Sequence, residues 1–274
     1  MIFLSPAKVN LFFKILRKKN DGYHEIASLY QAVSLFDKIS IELSKKDSYN
    51  SNVDIPWQNN LIKKAIDLFK DKTKIDAKLD IYLEKNIPIQ AGLGGGSSNA
   101  ATTLFALNEI FLRPLSLNDL IEISKKIGSD IAFFFSSGTA YCTDTGTSFQ
   151  DIQLKKQLNF LIAKPTFGMP TKDVFENVDI TKIEKKDPKS SLETAVNGEL
   201  NFFNDLEISA FELNNQLRKI KNSFLDMGFD QVVMTGSGSA FMLFGDININ
   251  KTENISIYKV FSIQKKENSW YSLA

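Results

Sequence analysis

Residues 92–99 read Gly92-Leu93-Gly94-Gly95-Gly96-Ser97-Ser98-Asn99 and hold four of the chain's 14 glycines within five positions. Just upstream, Lys78-Leu79-Asp80-Ile81-Tyr82-Leu83-Glu84 alternates polar and apolar residues, the period of a half-buried strand. Downstream, Ala100, Ala101, Leu104, Leu107, Ile110 and Phe111 recur at helical spacing. The order is therefore strand, glycine loop, helix. Glycine lets the backbone take positive φ and come close to a ligand, and Ser97 or Ser98 is expected as the helix N-cap. The first-turn N–H groups have no intrahelical partner and carry the positive end of the dipole. A phosphate is the guest that suits such a loop.

The spelling excludes the commoner phosphate loops. No glycine is followed by lysine, so the Walker pattern is absent, and Ser97 stands where G-x-G-x-x-G needs its third glycine. A plain turn is the alternative for the glycines taken by themselves.

Composition narrows the chemistry. A chain of 274 residues suffices for one large domain or two ordinary ones, and its 43 % apolar residues can supply a core throughout. The net charge of +1 gives no reason to expect a nucleic acid or a membrane surface as partner. Of 33 basic residues only Arg17, Arg113 and Arg218 are arginine. Single copies of cysteine (Cys142) and histidine (His24) rule out an intrachain disulfide, a cysteine zinc site and a multi-histidine metal site. Met1-Ile2-Phe3-Leu4-Ser5-Pro6 reads as no signal peptide and no apolar run is long enough to span a bilayer, so a cytoplasmic protein is expected.

Residues 7–16 read as a strand with Val9, Leu11, Phe13 and Ile15 on one face. Lys8 and Asn10 then point together from the other. A charged turn closed by Asp21-Gly22 leads into Tyr23-His24. Residues 35–43 alternate as a second strand, and 60–72 form an amphipathic helix with Leu61, Ala65, Leu68 and Phe69 inward. Ser116 to Asp119 resembles a capping box opening another helix, which stops at Gly128. Asp130 follows at the head of a very apolar segment, where it is either a functional carboxylate or an N-cap. A second unit begins near Gln157: a strand to Lys164, a short helix from Thr171 carrying Val174 and Phe175, and a polar stretch over 179–201 with Asp187-Pro188 as a surface bend. A long helix over Ala210 to Met227 is expected next, ended by Gly228. Two strands then flank the second glycine turn, Thr235-Gly236-Ser237-Gly238-Ser239.

Three segments together carry a resemblance. Ser5-Pro6-Ala7-Lys8-Val9-Asn10-Leu11, the run from Pro88 to Ala101, and Met234-Thr235-Gly236-Ser237-Gly238 resemble the three ordered motifs of the GHMP kinases. Within that superfamily, Pro6 to Leu11, Asp21-Gly22-Tyr23-His24, the glycine loop and Gly128-Ser129-Asp130 resemble the 4-diphosphocytidyl-2-C-methyl-D-erythritol kinase family. The likeness runs from residue 5 to 244. It implies an α+β, two-domain GHMP kinase fold. Residues 1–155 would be an ATP-binding domain of the ribosomal protein S5 domain 2-like type, and 156–274 a ferredoxin-like C-terminal domain.

The resemblance also implies the site. Lys8 and Asp130 would be catalytic, with Asp130 as base. Pro88, Ile89, Gln90, Ala91, Gly92, Leu93, Gly94, Gly95, Gly96, Ser97 and Ser98 would hold ATP, with Mg²⁺ accompanying the nucleotide and no metal site of the protein's own. The N–H groups of Leu93 to Ser98 would be the phosphate donors. Asn10, Tyr23, His24, Thr171, Phe175, Gly236, Ser237 and Gly238 would meet the substrate. Tyr23 and Phe175 would sandwich a cytosine whose edge His24 reads, with Phe167 as a competitor for Phe175. Two departures from the family pattern stand out: Ile89-Gln90-Ala91 before the loop, and Asn99 where many members have Asp. The rival readings are a GHMP kinase of another small alcohol and a nucleotide-binding regulator without catalysis.

Overall fold

The computed structural model describes residues 1–199, 201–267 and 269–272. The first half is built on two long strands, β1 (Ile2–Lys18) and β2 (His24–Ser44), paired antiparallel along their length. β3 (Ser48–Ser51), α1 (Leu61–Thr73) and β4 (Lys78–Glu84) precede the glycine loop. α2 (Gly95–Ile110), α3 (Leu117–Lys125), β5 (Thr139–Asp144) and β6 (Ser148–Asp151) follow it. The free edge of β2 is shared: β4 pairs with residues 38–44 and β5 with residues 26–31.

The second half contains β7 (Asn159–Pro165), α4 (Thr171–Glu176), α5 (Pro188–Asn197), β8 (Phe203–Asn204), α6 (Leu206–Leu213), α7 (Asn215–Asp226), β9 (Gln231–Met234), β10 (Phe241–Phe244) and β11 (Ile255–Phe261). Four of its strands form an antiparallel sheet in the order β11-β7-β10-β9. Counted from β7 that order is 4-1-3-2, with helices in the first crossover, in keeping with a ferredoxin-like arrangement. β8 leaves this sheet and joins the first one, parallel to β1. No described helix is long and apolar enough to cross a membrane.

α2 is the central helix. From Ser98 to Asn108 nearly every side chain is buried, and a helix that is apolar or small all round belongs inside a core. Its N-cap is Gly94 (φ 65°), not Ser97 or Ser98, and no side chain caps it. The positive φ comes at no steric cost on glycine, and the serines fall inside the first turns. Ser98 N–H donates to Gly94 O at 2.8 Å, so it is no longer an open phosphate donor.

Four other expectations need correcting. In β1, Val9, Leu11 and Phe12 join one core cluster while Phe13 and Ile15 join the other. The register skips Leu11, between the pairs Asn10–Tyr30 and Phe12–Leu29, and such a bulge puts two successive side chains on one face. In α1 the inward residues are Ile62, Ala65, Ile66 and Phe69. The helix expected from Ala210 to Met227 is two: Asn214 leaves helical geometry (φ −144°, ψ 96°) and its side chain accepts from Gln216 N–H, starting α7. Asp187-Pro188 is the start of α5, with Asp187 as N-cap and Pro188 in the first turn.

Candidate active site

The two glycine turns are pressed against each other. A Cβ on Gly92 (φ +75°) would lie 2.0 Å from the Thr235 carbonyl oxygen, and one on Gly236 would lie 2.8 Å from the Gly92 oxygen. Ala240 N–H donates to Ala91 O, and Met169 N–H to Gln90 O. The loop before α2 is therefore tied to the β9–β10 turn and to the segment preceding α4. A cavity of ≈ 1070 Å³ opens at this junction. Pro88 to Ser97 line it together with Lys8, Tyr23, His24, Asp130, Thr171, Phe175, Gly236 and Ser237. Asn10, Ser98 and Gly238 do not line it. Asn10 is fully buried beneath Lys8, Ser98 bonds its hydroxyl to Ser5 Oγ, and Gly238 packs against Met234.

Lys8 is 3 % exposed, and its Nζ donates to Asn10 Oδ1 at 2.8 Å and lies 3.3 Å from Asp130 Oδ2. Asn10 is held in turn by Ser28 Oγ, which accepts from its amide at 3.0 Å, and by Thr235 Oγ1, which accepts from its backbone N–H at 3.0 Å. Lys8 N–H donates to Leu93 O, so the strand and the loop share a register. Gly94 leaves the room for the lysine: a Cβ there would come 2.8 Å from Lys8 Cγ. Asp130 is not a helix cap, because the short helical turn that follows begins without a side-chain cap. Its side chain is about one-third exposed, at 32 %, and faces the cavity.

Also in the cavity lining, His24 and Phe175 pair with ring centroids 5.7 Å apart. Phe13 meets the edge of Phe175 at 6.2 Å. His24 Nε2 is buried without a hydrogen-bond partner. Burial, helped by Lys18, holds this imidazole below its ordinary range, so it is neutral near pH 7 and offers one donor and one acceptor nitrogen. Tyr23 is mostly exposed at the rim. Thr171 Oγ1 and Ser237 Oγ, both lining the cavity, share a hydrogen bond of 2.9 Å. Phe167 does not line the cavity; its carbonyl accepts from Lys164 Nζ and Ser239 Oγ.

The entry to the glycine loop hangs on Asp37, which is fully buried. Its carboxylate accepts from the N–H groups of Asn86 and Ile87, from Asn99 Nδ2, and from Lys85 Nζ at 2.9 Å. Asn99 donates to both Asp37 and Ser5 Oγ from one amide nitrogen. An aspartate at residue 99 would set a second carboxylate against the first, so Asn99 and Asp37 suit each other. Burial pushes the Lys85 ammonium down and Asp37 offsets it. Asp37→Ala removes the only carboxylate bonded to Lys85 among the described residues, which should cost about 3–5 kcal/mol in urea unfolding. A loss below ~1 kcal/mol, the size of a surface pair, would contradict this account.

Sequence reasoning missed Ser28, Tyr30 and Thr235, all within or beside the strand pair. Residues 26–33 are so uniformly buried that their polar members carried no periodic signal.

A family model for the GHMP kinases N terminal domain matches residues 60–138. A 4-diphosphocytidyl-2-C-methyl-D-erythritol kinase of Protochlamydia amoebophila is 40 % identical over 98 % of this chain and 92 % of its own length. The chloroplastic enzyme of that name from Mentha piperita is 38 % identical over 99 % of the chain and 72 % of its length. Among solved structures, a 4-(cytidine 5'-diphospho)-2C-methyl-D-erythritol kinase superimposes with a TM-score of 0.80 at 28 % identity, covering 97 % of this chain and all of that one. The mevalonate kinase of Methanococcus jannaschii, at 17 % identity and a TM-score of 0.65 over 96 % of this chain and 98 % of its own, shares the fold.

Proposed function

The chain belongs to the 4-diphosphocytidyl-2-C-methyl-D-erythritol kinases of the GHMP superfamily, and from that premise we propose its reaction and the residues that carry it. It transfers the γ-phosphate of ATP to the 2-hydroxyl of 4-diphosphocytidyl-2-C-methyl-D-erythritol, on the non-mevalonate route to isoprenoid precursors. The observation that carries this reading is the Lys8–Asp130 pair, set in one cavity with an uncapped helix N-terminus and the His24–Phe175 pair.

A tertiary hydroxyl is a weak nucleophile. Asp130 accepts its proton as the oxygen attacks the γ-phosphorus, while the bond to the β-phosphate oxygen breaks and ADP leaves. Lys8 holds the carboxylate in place and faces the negative charge gathering on the phosphoryl oxygens. The open N–H groups of Gly95, Gly96 and Ser97, with the dipole of α2, cradle the phosphates. Ile55, Asn59, Asn60, Leu61 and Lys85 line the same cavity beyond the loop and take the adenosine end. Mg²⁺ offsets phosphate charge when bound, and phosphate oxygens with one or two protein ligands satisfy it. No cluster of three acidic, histidine or cysteine side chains among the described residues competes for that ion.

Tyr23 and Phe175 sandwich the cytosine, and His24, on the cavity wall, reads its edge. Thr171, Ser237 and the backbone of Gly236 serve the diphosphate and methylerythritol end, with Asn10 and Gly238 as support behind them. The boundary between residues 155 and 156 divides a nucleotide-binding domain from a C-terminal domain, with the cleft between.

ADP release with Mg·ATP tests the reading. Turnover with the cytidine compound and none with methylerythritol 4-phosphate is expected; equal turnover would remove the pyrimidine subsite. Phe175→Ala should raise KM for the cytidine substrate by about tenfold or more, as loss of one stacking face implies, with KM for ATP unchanged. Phe167→Ala should leave the cytidine KM alone, and the reverse pattern would exchange the two roles.

A further inference from the structure

Among the described residues Tyr30 is a polar side chain that touches both members of the Lys8–Asp130 pair. It sits on β2, 1 % exposed, and its hydroxyl donates to Asp130 Oδ1 at 3.2 Å. Its ring face lies 4.6 Å from Lys8 Nζ. Phe133 packs against the same ring with centroids 5.3 Å apart, which holds it in place. The Asp130 carboxylate is thus divided, Oδ1 to Tyr30 and Oδ2 to Lys8.

We propose that Tyr30 is a positioning residue for phosphotransfer, aiming the Asp130 carboxylate with its hydroxyl and seating the Lys8 ammonium on its ring. The proposal rests on the reading of Asp130 as base. A carboxylate rotates freely about its last bond unless both oxygens are held, and a base misaimed by an ångström loses much of its rate. With Oδ1 engaged, Oδ2 remains the oxygen beside the ammonium that can receive the substrate proton. The ring takes the cation's third side, after Asn10 and Asp130, in a water-poor setting where cation–π attraction is strongest.

Burial first, and Asp130 second, push the Tyr30 hydroxyl well above the ordinary phenol range. It therefore stays protonated, and proton acceptance falls to the carboxylate. Among the described residues Asp130 has Lys8 on β1, Tyr30 on β2 and the buried Cys142 thiol on β5 near it, and burial first and Asp130 second hold that thiol in its neutral form.

Tyr30→Phe keeps the ring and deletes the donor. In rapid-quench single turnovers the phosphotransfer rate should fall about tenfold near neutral pH. KM for both substrates should stay put. A single-turnover rate equal to wild type overturns the proposal. A rate loss that comes with a rise in either KM also overturns it, because a packing role alone would give that result. A second measurement leaves Tyr30 intact: a slowly exchanging tyrosine hydroxyl proton should appear in the wild-type NMR spectrum and vanish in Asp130→Ala. Its persistence in that variant would show that the hydroxyl is bonded elsewhere. Asp130→Asn separates the two readings. If that variant still transfers phosphate, the base assignment fails. If it is dead while Tyr30→Phe behaves as wild type, the positioning role alone fails.

Discussion

Asp130→Asn should lose phosphotransfer by about 10²–10⁴-fold, the usual worth of a positioned general base, and should still bind Mg·ATP. The amide is nearly isosteric, so the cavity keeps its shape, but it can accept no proton at neutral pH. It also brings an uncharged group to Lys8 Nζ, 3.3 Å away in the native pair. Lys8 itself keeps its bond to Asn10 Oδ1 and its seat on Tyr30, so the lysine does not wander. Because Asp130 is one-third exposed, the stability change should be small, within ~1 kcal/mol as for pairs that water reaches. The measurement is a single-turnover rate beside an ATP titration on the same preparation. Phosphotransfer within a factor of a few of wild type, with normal ATP affinity, would assign the proton to another acceptor or to solvent. Lys8→Met should also abolish turnover, and it should do more harm to folding, because it strips a partner from the buried Asn10.

How far the sequence was legible follows from the range of the forces concerned. The glycine loop and α2 were readable because positive φ, small residues and helical spacing are local properties. The capping box at Ser116 was readable for the same reason: both of its bonds lie within four residues. The motif order located Lys8, His24 and Asp130, and their gathering into one cavity accords with it. What escaped depends on distant partners. The bulge that skips Leu11 is imposed by the register of β2, and no feature of 7–16 announces it. α6 and α7 read as one helix because Asn214 interrupts an unbroken apolar stripe, and asparagine is a poor breaker in pattern alone. The parallel addition of β8 to β1 joins residues about 190 apart through two residues of strand, far too short to show a period. Tyr30 escaped for a sharper reason. In a strand buried on both sides a tyrosine looks like one more core aromatic, and its hydroxyl partner lies a hundred residues away on the chain.

The two glycines at the heart of the loop should fail in different ways when given a methyl group, and the difference follows from what stands in the way. At Gly92 the obstacle is backbone: the new Cβ would lie 2.0 Å from the Thr235 carbonyl oxygen and 3.1 Å from Gly238 N, at a φ of +75°. Neither neighbour can swing aside without parting the two glycine turns. Left-handed backbone on a non-glycine residue costs about 1–3 kcal/mol and overpacking a further ~1–3 kcal/mol. Gly92→Ala should therefore lose on the order of 2–6 kcal/mol of stability, the sum of those terms, and expose the junction to proteolysis. At Gly94 the obstacle is a side chain: Lys8 Cγ at 2.8 Å and Cε at 3.1 Å, with φ +65°. A lysine can yield where a carbonyl cannot, so Gly94→Ala pays mainly the conformational cost of ~1–3 kcal/mol. The displaced ammonium, however, leaves Asp130 and the Tyr30 ring, and the turnover rate should fall by two orders of magnitude or so. Urea midpoints and kcat measured on the pair decide it. The expected pattern is Gly92→Ala worse in stability and Gly94→Ala, still folded, worse in rate per folded molecule. Equal stability losses with intact turnover in Gly94→Ala would mean that the loop's closeness to Lys8 serves packing and not catalysis.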